Sequence, residues 1–309
     1  MLISLNFFSF FCLLFMDSEH REGAGITLEQ IRLQLREALV PKFGDREATA
    51  IARLVLMTLK GWDLSTLLAK GDREASDFIK NRTREILRQL LQDIPVQYAL
   101  GQTNFYGLTL KVGPGVLIPR PETEELVDLI VKENRAADLR VLDLCTGSGA
   151  IAIALARNLP FSEITAVDIS PDAIAIAKEN AAALKTKIRF LETDILKEES
   201  LSRIPGEFDI IVSNPPYVDE SEKKDMDANV LDHEPHIALF VPDDNPLLFY
   251  KRIAEIGNQS LKAGGKLYLE INPRHAEELK QLLLSSGYDD IEIIKDINGK
   301  DRFAKAVRK

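Results

Sequence analysis

The stretch 141-VLDLCTGSGAIAIALA-156 decides how this chain folds. Val141, Leu142 and Leu144 make a short apolar run with strand character. Gly147 and Gly149 then turn the backbone, and residues 150–156 continue with helix formers. A strand, a glycine turn and a helix in that order leave free N–H groups and a positive dipole end facing outward, where glycine permits close approach of a ligand. Taken alone the loop suits two ligand classes, because Gly147-x-Gly149-x-x-Ala152 also fits a dinucleotide fingerprint.

Working outward, strands and helices alternate from Arg140 onward. The strand candidates are "RVLDLC", "ITAVDI", "IRFLETD", "FDIIVSN" and "GKLYLEI". Short apolar strands separated by helical patterns imply an α/β fold with a parallel sheet covered on both faces. Two further strands, in "DDIEIIKDING" and "RFAKAVRK", flank an Asn-Gly turn and predict a hairpin. Asp168 ends the second strand, because Ser170-Pro171-Asp172 caps and opens the next helix. That places its carboxylate at the ligand-binding edge of the sheet, where it suits a ribose hydroxyl. Asp194 ends the third strand in the same way. Asp143 lies four residues before Gly147; an acid there would attract a cation such as the ammonium group of S-adenosylmethionine and repel a pyrophosphate. Cys145 is expected to contribute backbone only.

The fourth strand closes on Asn214-Pro215-Pro216-Tyr217. A residue before proline is held extended, so Asn214 and Pro215 are both rigid. Neither proline has an N–H, which leaves carbonyls that only accept. A planar –NH2 group matches this arrangement: one hydrogen to the Asn214 side-chain oxygen, one to the Pro215 carbonyl, with Tyr217 stacked on the plane. Acceptors placed on those hydrogens favour positive charge developing on nitrogen as it attacks a methyl group. The motif resembles that of amino-group methyltransferases, whose targets are adenine or glutamine amides; it does not separate the two.

Upstream, the pattern is helical from Thr27 to Gln92. Thr27 is placed to cap the first helix, with Pro41 and Gly44 expected to stop it and Asp45 to open the next. A third helix carries Phe78, Ile79, Ile86, Leu87 and Leu90 on its apolar side, and Trp62 is expected between helices. Pro95 to Gly115 reads as a hairpin connector, and a helix follows Pro121. Residues 17–93 balance 13 basic against 13 acidic side chains, so the net charge of −9 belongs to the rest of the chain. An acidic main body is a poor match for a phosphate backbone, which argues against stable nucleic-acid binding. The apolar leader, residues 1–16, is shorter than the roughly 18 residues of a membrane span. It also lacks the basic start and cleavage site of a secretory signal. Met16 is the expected initiator, with no membrane association.

"PVQYALGQTNFYGL", "VLIPRPETEELV", "VLDLCTGSGAIAIALA", "SNPPYV" and "EPHIALF" follow one another in an order that resembles the HemK/PrmC-type peptide chain release factor glutamine methyltransferases. The resemblance runs from about Thr27 to the C-terminus. It implies a seven-stranded, mostly parallel, Rossmann-like methyltransferase sheet at 119–309, a hairpin linker at 94–118 and a helical bundle at 17–93. It implies S-adenosyl-L-methionine as cofactor. The methyl acceptor is then the side-chain nitrogen (N5) of the glutamine in the Gly-Gly-Gln loop of class 1 release factors. Carried over residue by residue, Cys145, Thr146, Gly147, Ser148, Gly149, Asp168, Asp194, Ile195 and Asn214 form the cofactor cradle. Asn214, Pro215, Pro216 and Tyr217 hold the glutamine and carry the catalysis. Ile195 stands where the family often has an aromatic, so it packs against adenine without stacking. Phe105 is expected to close over the cofactor. Cys12 and Cys145 sit in unrelated contexts without metal-ligand spacing, which points to a reducing cytoplasm and no metal; a monomer is expected.

Other polar residues carry less. "HEPH", His233 to His236, lacks the spacing of a zinc helix, and Pro235 would break one. Arg120 is placed either to pair with an acid near the loop or to cap a helix. Glu270 ends "KLYLEI" at the same rim, without an assignable role. An adenine-directed nucleic-acid methyltransferase shares the site but should carry a basic recognition region. A nicotinamide dehydrogenase leaves Asn-Pro-Pro-Tyr unexplained, and a non-catalytic adaptor need not keep the complete loop set.

Overall fold

The computed structural model describes residues 25–204 and 206–309, so the apolar leader and the expectation about Met16 lie outside the described residues. The chain divides into two compact units, Met1–Leu100 and Gly101–Lys309.

In the first unit, α1 (Leu28–Lys60) begins at Thr27 in a capping box. The Thr27 hydroxyl accepts from Gln30 N at 3.2 Å, and Gln30 Oε1 accepts from Thr27 N at 2.8 Å. Pro41 does not stop this helix. The break falls at Gly44, whose φ of 75° and ψ of 167° only glycine adopts without penalty. A short α2 (Leu64–Ala69), not foreseen from the sequence, is capped by Asp63. Ser76 caps α3 (Asp77–Leu91), and α4 (Val96–Leu100) closes the unit. Leu35, Leu39, Val55, Ile86, Leu87 and Leu90 form its core. Trp62 packs on a second cluster around Leu28 and Ile31, with the ammonium groups of Lys60 and Lys70 at 4.7 and 5.2 Å from its ring centre. Phe78, expected on the apolar side, is 67% exposed. It shares a helical face with Arg82 and Glu85, whereas the buried stripe runs through Ile79, Thr83, Ile86, Leu87 and Leu90.

The second unit opens with a hairpin, β1 (Gln102–Phe105) and β2 (Leu108–Lys111). Its turn, Tyr106-Gly107, has φ of 48° and 74°; two positive values in succession match the twist of an antiparallel pair. Then α5 (Pro121–Glu133) leads into the main sheet: β3 (Arg140–Leu144), α6 (Ala150–Asn158), β4 (Glu163–Asp168), α7 (Pro171–Ala183), β5 (Ile188–Glu192), α8 (Ser200–Arg203) and β6 (Phe208–Ser213). After a short pair, β7 (Val218–Asp219) and β8 (Phe240–Val241), with α9 (Ala228–His233) between them, come α10 (Leu248–Ser260), β9 (Leu261–Glu270), α11 (Ala276–Ser285), β10 (Tyr288–Lys295) and β11 (Asp301–Arg308).

The seven-stranded sheet has the order β10-β11-β9-β6-β3-β4-β5. It is parallel from β9 to β5, and β10 and β11 add antiparallel at one edge. Side chains alternate across it. Leu267 and Leu269 join the core under α10 and α11, while Tyr268 between them joins the core under α5 and α6. Burial on both faces explains the near-continuous apolar strands. The chain starts mid-sheet at β3, builds β4 and β5 to one side, then returns to place β6 and β9 on the other. The switch therefore lies between β3 and β6, which is where open α/β sheets bind ligands.

Candidate active site

Leu144 and Ser213, the last residues of β3 and β6, are register partners, and the Ser213 hydroxyl donates to Leu144 O at 2.7 Å. Neighbouring strands lie about 4.8 Å apart. The glycine loop and the Asn-Pro-Pro-Tyr loop thus leave the sheet side by side.

The glycine loop is held from below. Asp143 is fully buried; its Oδ2 accepts from the Thr146 hydroxyl at 2.6 Å and from Ala152 N at 3.2 Å. It is therefore a brace beneath the loop and does not line the crevice, contrary to the role in attracting a cation suggested by its place in the sequence. Burial pushes its pKa up to about 7, and its Oδ1 finds no hydrogen-bond partner among the described residues. Cys145, with φ of 60°, starts the turn in a left-handed conformation that costs a non-glycine residue about 1 kcal/mol. Burial drives its thiol well up, which keeps it protonated and fits a backbone role. Gly147 and Gly149 follow at φ of 54° and 80°.

Asp168, at the end of β4, binds the loop from the side. Its Oδ2 accepts from Gly147 N at 2.8 Å and its Oδ1 from Ser170 N at 2.9 Å. Burial raises its pKa, opposed by these backbone N–H groups. Asn180 makes a third anchor that sequence reasoning missed. Buried on α7, it donates to Ser148 O at 2.9 Å and exchanges bonds with the Lys111 main chain at 2.7 and 3.0 Å, joining the hairpin to the glycine loop. Its neighbours Lys178 and Glu179 are polar as well, so nothing in the sequence singled Asn180 out.

Above these loops opens a crevice that, mouth included, encloses about 1130 Å³. Cys145 to Ser148, Asp168, Asp194, Ile195, Asn214 and Pro216 line it, as do Val116, Leu117 and Phe249. Gly149 lies just behind, opening α6. Pro215 and Tyr217 stand outside the lining among the described residues. Asp194 Oδ1 accepts from Leu196 N at 3.0 Å, shaping the turn that presents Ile195. Arg252 holds that turn by donating to Ile195 O at 2.7 Å. Phe105, expected over the ligand, is instead fully buried in the core with α5 and α6. The alternation of a four-residue strand turns it inward, and the ring at the crevice is Phe249 on α10.

Asn214 is half-buried and its Nδ2 donates to the Thr123 hydroxyl at 3.2 Å. Thr123 donates to Glu270 Oε2 at 2.7 Å, and the Tyr217 hydroxyl donates to Glu270 Oε1 at 2.9 Å. Glu270, 1% exposed, so acquires a place that its sequence position alone did not disclose. Burial raises its pKa, opposed by the bonds from Thr123 and Tyr217.

One wall is a strap, residues 116–120, fastened by Glu234. That buried carboxylate accepts from Ile118 N at 3.0 Å and from Arg120 Nη2 at 2.5 Å. Arg120 therefore pairs with an acid and makes no side-chain cap of α5. Within "HEPH" the glutamate is the working residue; His236 Nε2 lies 2.8 Å from Leu231 O, a local contact.

Comparison with known proteins gives the same order of parts. Residues 27–101 match the model of the PrmC N-terminal domain, and residues 122–235 match the Methyltransferase small domain. A release factor glutamine methyltransferase of Bacteroides thetaiotaomicron is 44% identical over 281 residues, covering 91% of this chain and 100% of that protein. Relatives of the same name from Flavobacterium psychrophilum and Streptococcus pneumoniae are 41% and 39% identical. They cover 90% and 89% of this chain and 98% and 96% of their own lengths. With identity at this level across nearly its whole length, this chain belongs to the release factor glutamine methyltransferase family.

Proposed function

We propose that this protein transfers a methyl group from S-adenosyl-L-methionine to the side-chain amide nitrogen of a glutamine in a peptide chain release factor. The acceptor is the N5 atom of the Gly-Gly-Gln glutamine of class 1 factors. The observation that carries this reading is the pairing of Leu144 with Ser213, which sets a cofactor-type glycine loop beside an amide-type acceptor loop at one switch point. The acidic main body and the family membership favour a protein substrate over a nucleic acid. The reaction belongs in the cytoplasm, where translation terminates, and needs one copy of the chain. Among the described residues no helix is long and apolar enough to cross a membrane.

The residues fit the donor. Gly147 has open space among the described residues where a side chain would stand, so its backbone can approach a ligand closely. Gly147 N and Ser170 N hold the two Asp168 oxygens, and the carboxylate, which lines the crevice, can still accept from a ribose hydroxyl. Ile195 and Phe249 supply apolar walls suited to a base. S-adenosyl-L-methionine, which the Cys145 to Gly149 loop, Asp168, Asp194 and Ile195 would hold, would supply an electrophilic methyl carbon to the amide nitrogen and leave as S-adenosylhomocysteine.

The chain's own work is positioning. Asn214 Oδ1 and the Pro215 carbonyl accept the two amide hydrogens, which aims the nitrogen and favours charge building on it. Pro215 and Pro216 are buried, which keeps both acceptors rigid. The Tyr217 hydroxyl is held by Glu270, which fixes the end of the acceptor loop.

Incubation of the protein with methyl-labelled donor and purified release factor tests the reading, beside the same factor with its glutamine replaced and beside DNA. Label is expected in the first factor alone; label in DNA, or in the glutamine variant, overturns the substrate assignment. Asn214→Ala is expected to lower turnover about 100-fold with donor affinity preserved.

A further inference from the structure

The bonds around Asn214 form a chain whose direction is set at one end. Glu270 Oε2 and Oε1 accept from the Thr123 and Tyr217 hydroxyls at 2.7 and 2.9 Å, and an ionised carboxylate has no proton of its own to return. The Thr123 hydroxyl owns a single proton, already committed to Glu270. Toward Asn214 it offers lone pairs only. The Asn214 amide must therefore turn its NH2 to Thr123, at 3.2 Å, and no hydrogen bond among the described residues claims its Oδ1. The reverse orientation would set Oδ1 against the hydroxyl lone pairs. It would also aim two N–H donors at the crevice, where a substrate –NH2 brings donors of its own.

These residues come from three separate elements. Thr123 stands in the first turn of α5, Glu270 ends β9, and Asn214 follows β6. Ser213 pairs with Leu269, so Asn214 and Glu270 emerge beside each other. The Tyr250 hydroxyl donates to Glu270 O at 3.2 Å and secures the strand end. Thr123 and Glu270 are 4% and 1% exposed, so water does not compete for these bonds.

We propose that Thr123 and Glu270 are positioning residues that fix the polarity of the acceptor site: they hold the Asn214 amide with its oxygen toward the substrate and keep the Tyr217 hydroxyl away from it. This rests on the reading of Asn214 as the ligand of the acceptor nitrogen. Neither residue touches the reacting atoms. Their loss therefore costs turnover through misorientation, leaving donor binding alone.

The test compares Thr123→Val, which keeps the shape and loses the hydroxyl, with Thr123→Ser, which keeps the hydroxyl. In the valine variant kcat for release factor methylation is expected to fall about 10- to 100-fold, with the Kd of S-adenosylhomocysteine unchanged. The serine variant is expected to restore most of the turnover. Wild-type kcat in the valine variant, or equal losses in both, overturns the inference. A second measurement needs neither substrate nor a stable variant. In wild-type protein labelled with 15N-asparagine, one Asn214 side-chain proton should exchange slowly with water; both exchanging as in an exposed asparagine overturns the inference. Absence of methyl transfer by the wild type would defeat the proposed function, while the exchange experiment still decides the orientation of the amide.

Discussion

The Gly147 main-chain nitrogen donates to Oδ2 of Asp168 over 2.8 Å, so one carboxylate both closes the glycine loop and faces the crevice. Asp168→Ala removes a charged acceptor from loop and ligand together. Hydrogen bonds to a charged group contribute about 1.5–3 kcal/mol, so affinity for S-adenosylhomocysteine should fall at least roughly tenfold by calorimetry. Because burial raises the Asp168 pKa, the ionised acceptor is lost on acidification sooner than for an ordinary aspartate. Donor binding to the wild type should therefore weaken at a pH above the usual aspartate range.

The two loop glycines should fail differently. At Gly149 a Cβ would stand 3.1 Å from Ala177 Cβ and 3.2 Å from Ile153 Cδ1, with φ at +80°. Gly149→Ala should destabilise the fold by about 2–3 kcal/mol, combining left-handed strain with crowding. At Gly147 a Cβ meets nothing within 4 Å among the described residues, at φ of +54°. Gly147→Ala should cost only about 1 kcal/mol of stability yet weaken donor binding strongly. Urea unfolding and calorimetry on the two variants separate the effects; equal stability losses would contradict this assignment.

Asp143 predicts a pH signature. Its pKa, raised to about 7 in the folded protein, exceeds the unfolded value near 3.8, so the folded state holds the extra proton between them. Its contribution to stability is complete below the unfolded pKa and is lost as pH rises through about 7. Between pH 5 and 7 the wild type should lose about 1.4 kcal/mol per pH unit more than Asp143→Asn. The slope of urea-unfolding stability against pH is the readout, since the asparagine also shifts the offset.

Arg120→Ala strands the buried Glu234 carboxylate. Breaking a buried pair costs about 3–5 kcal/mol, and the Arg120 side chain is 34% exposed, so the low end is expected. The strap at residues 116–120 should loosen first. Faster proteolysis near Leu117, relieved by bound S-adenosylhomocysteine, would show it; an unchanged cleavage rate would remove the strap from the site.

The seven strands of the main sheet were legible in the sequence because the central ones, β3, β4, β6 and β9, are short runs buried on both faces and set off by glycine, proline or capping residues. The Asn298-Gly299 turn and the Thr27 cap were readable for the same local reason. Misreadings came where a neighbour decides. Pro41 was accommodated within a helix and Gly44 took the break. Phe78 went to the solvent face of α3, since rotation of a helix is set by what packs on it. Phe105 turned inward, leaving Phe249, distant in sequence, at the crevice.

By itself, then, the sequence determined which segments become strands, which loops follow them, and that Gly147, Asp168 and Asn214 end at one rim, because these follow from local sterics and period. Only the tertiary structure decided the direction of each polar side chain: Asp143 beneath the loop, Glu234 on the strap, and Glu270 joined through Thr123 to Asn214. A buried hydrogen bond needs a donor and an acceptor brought together from separate elements, and residues 91 and 147 positions apart in the chain become partners only when the sheet is assembled.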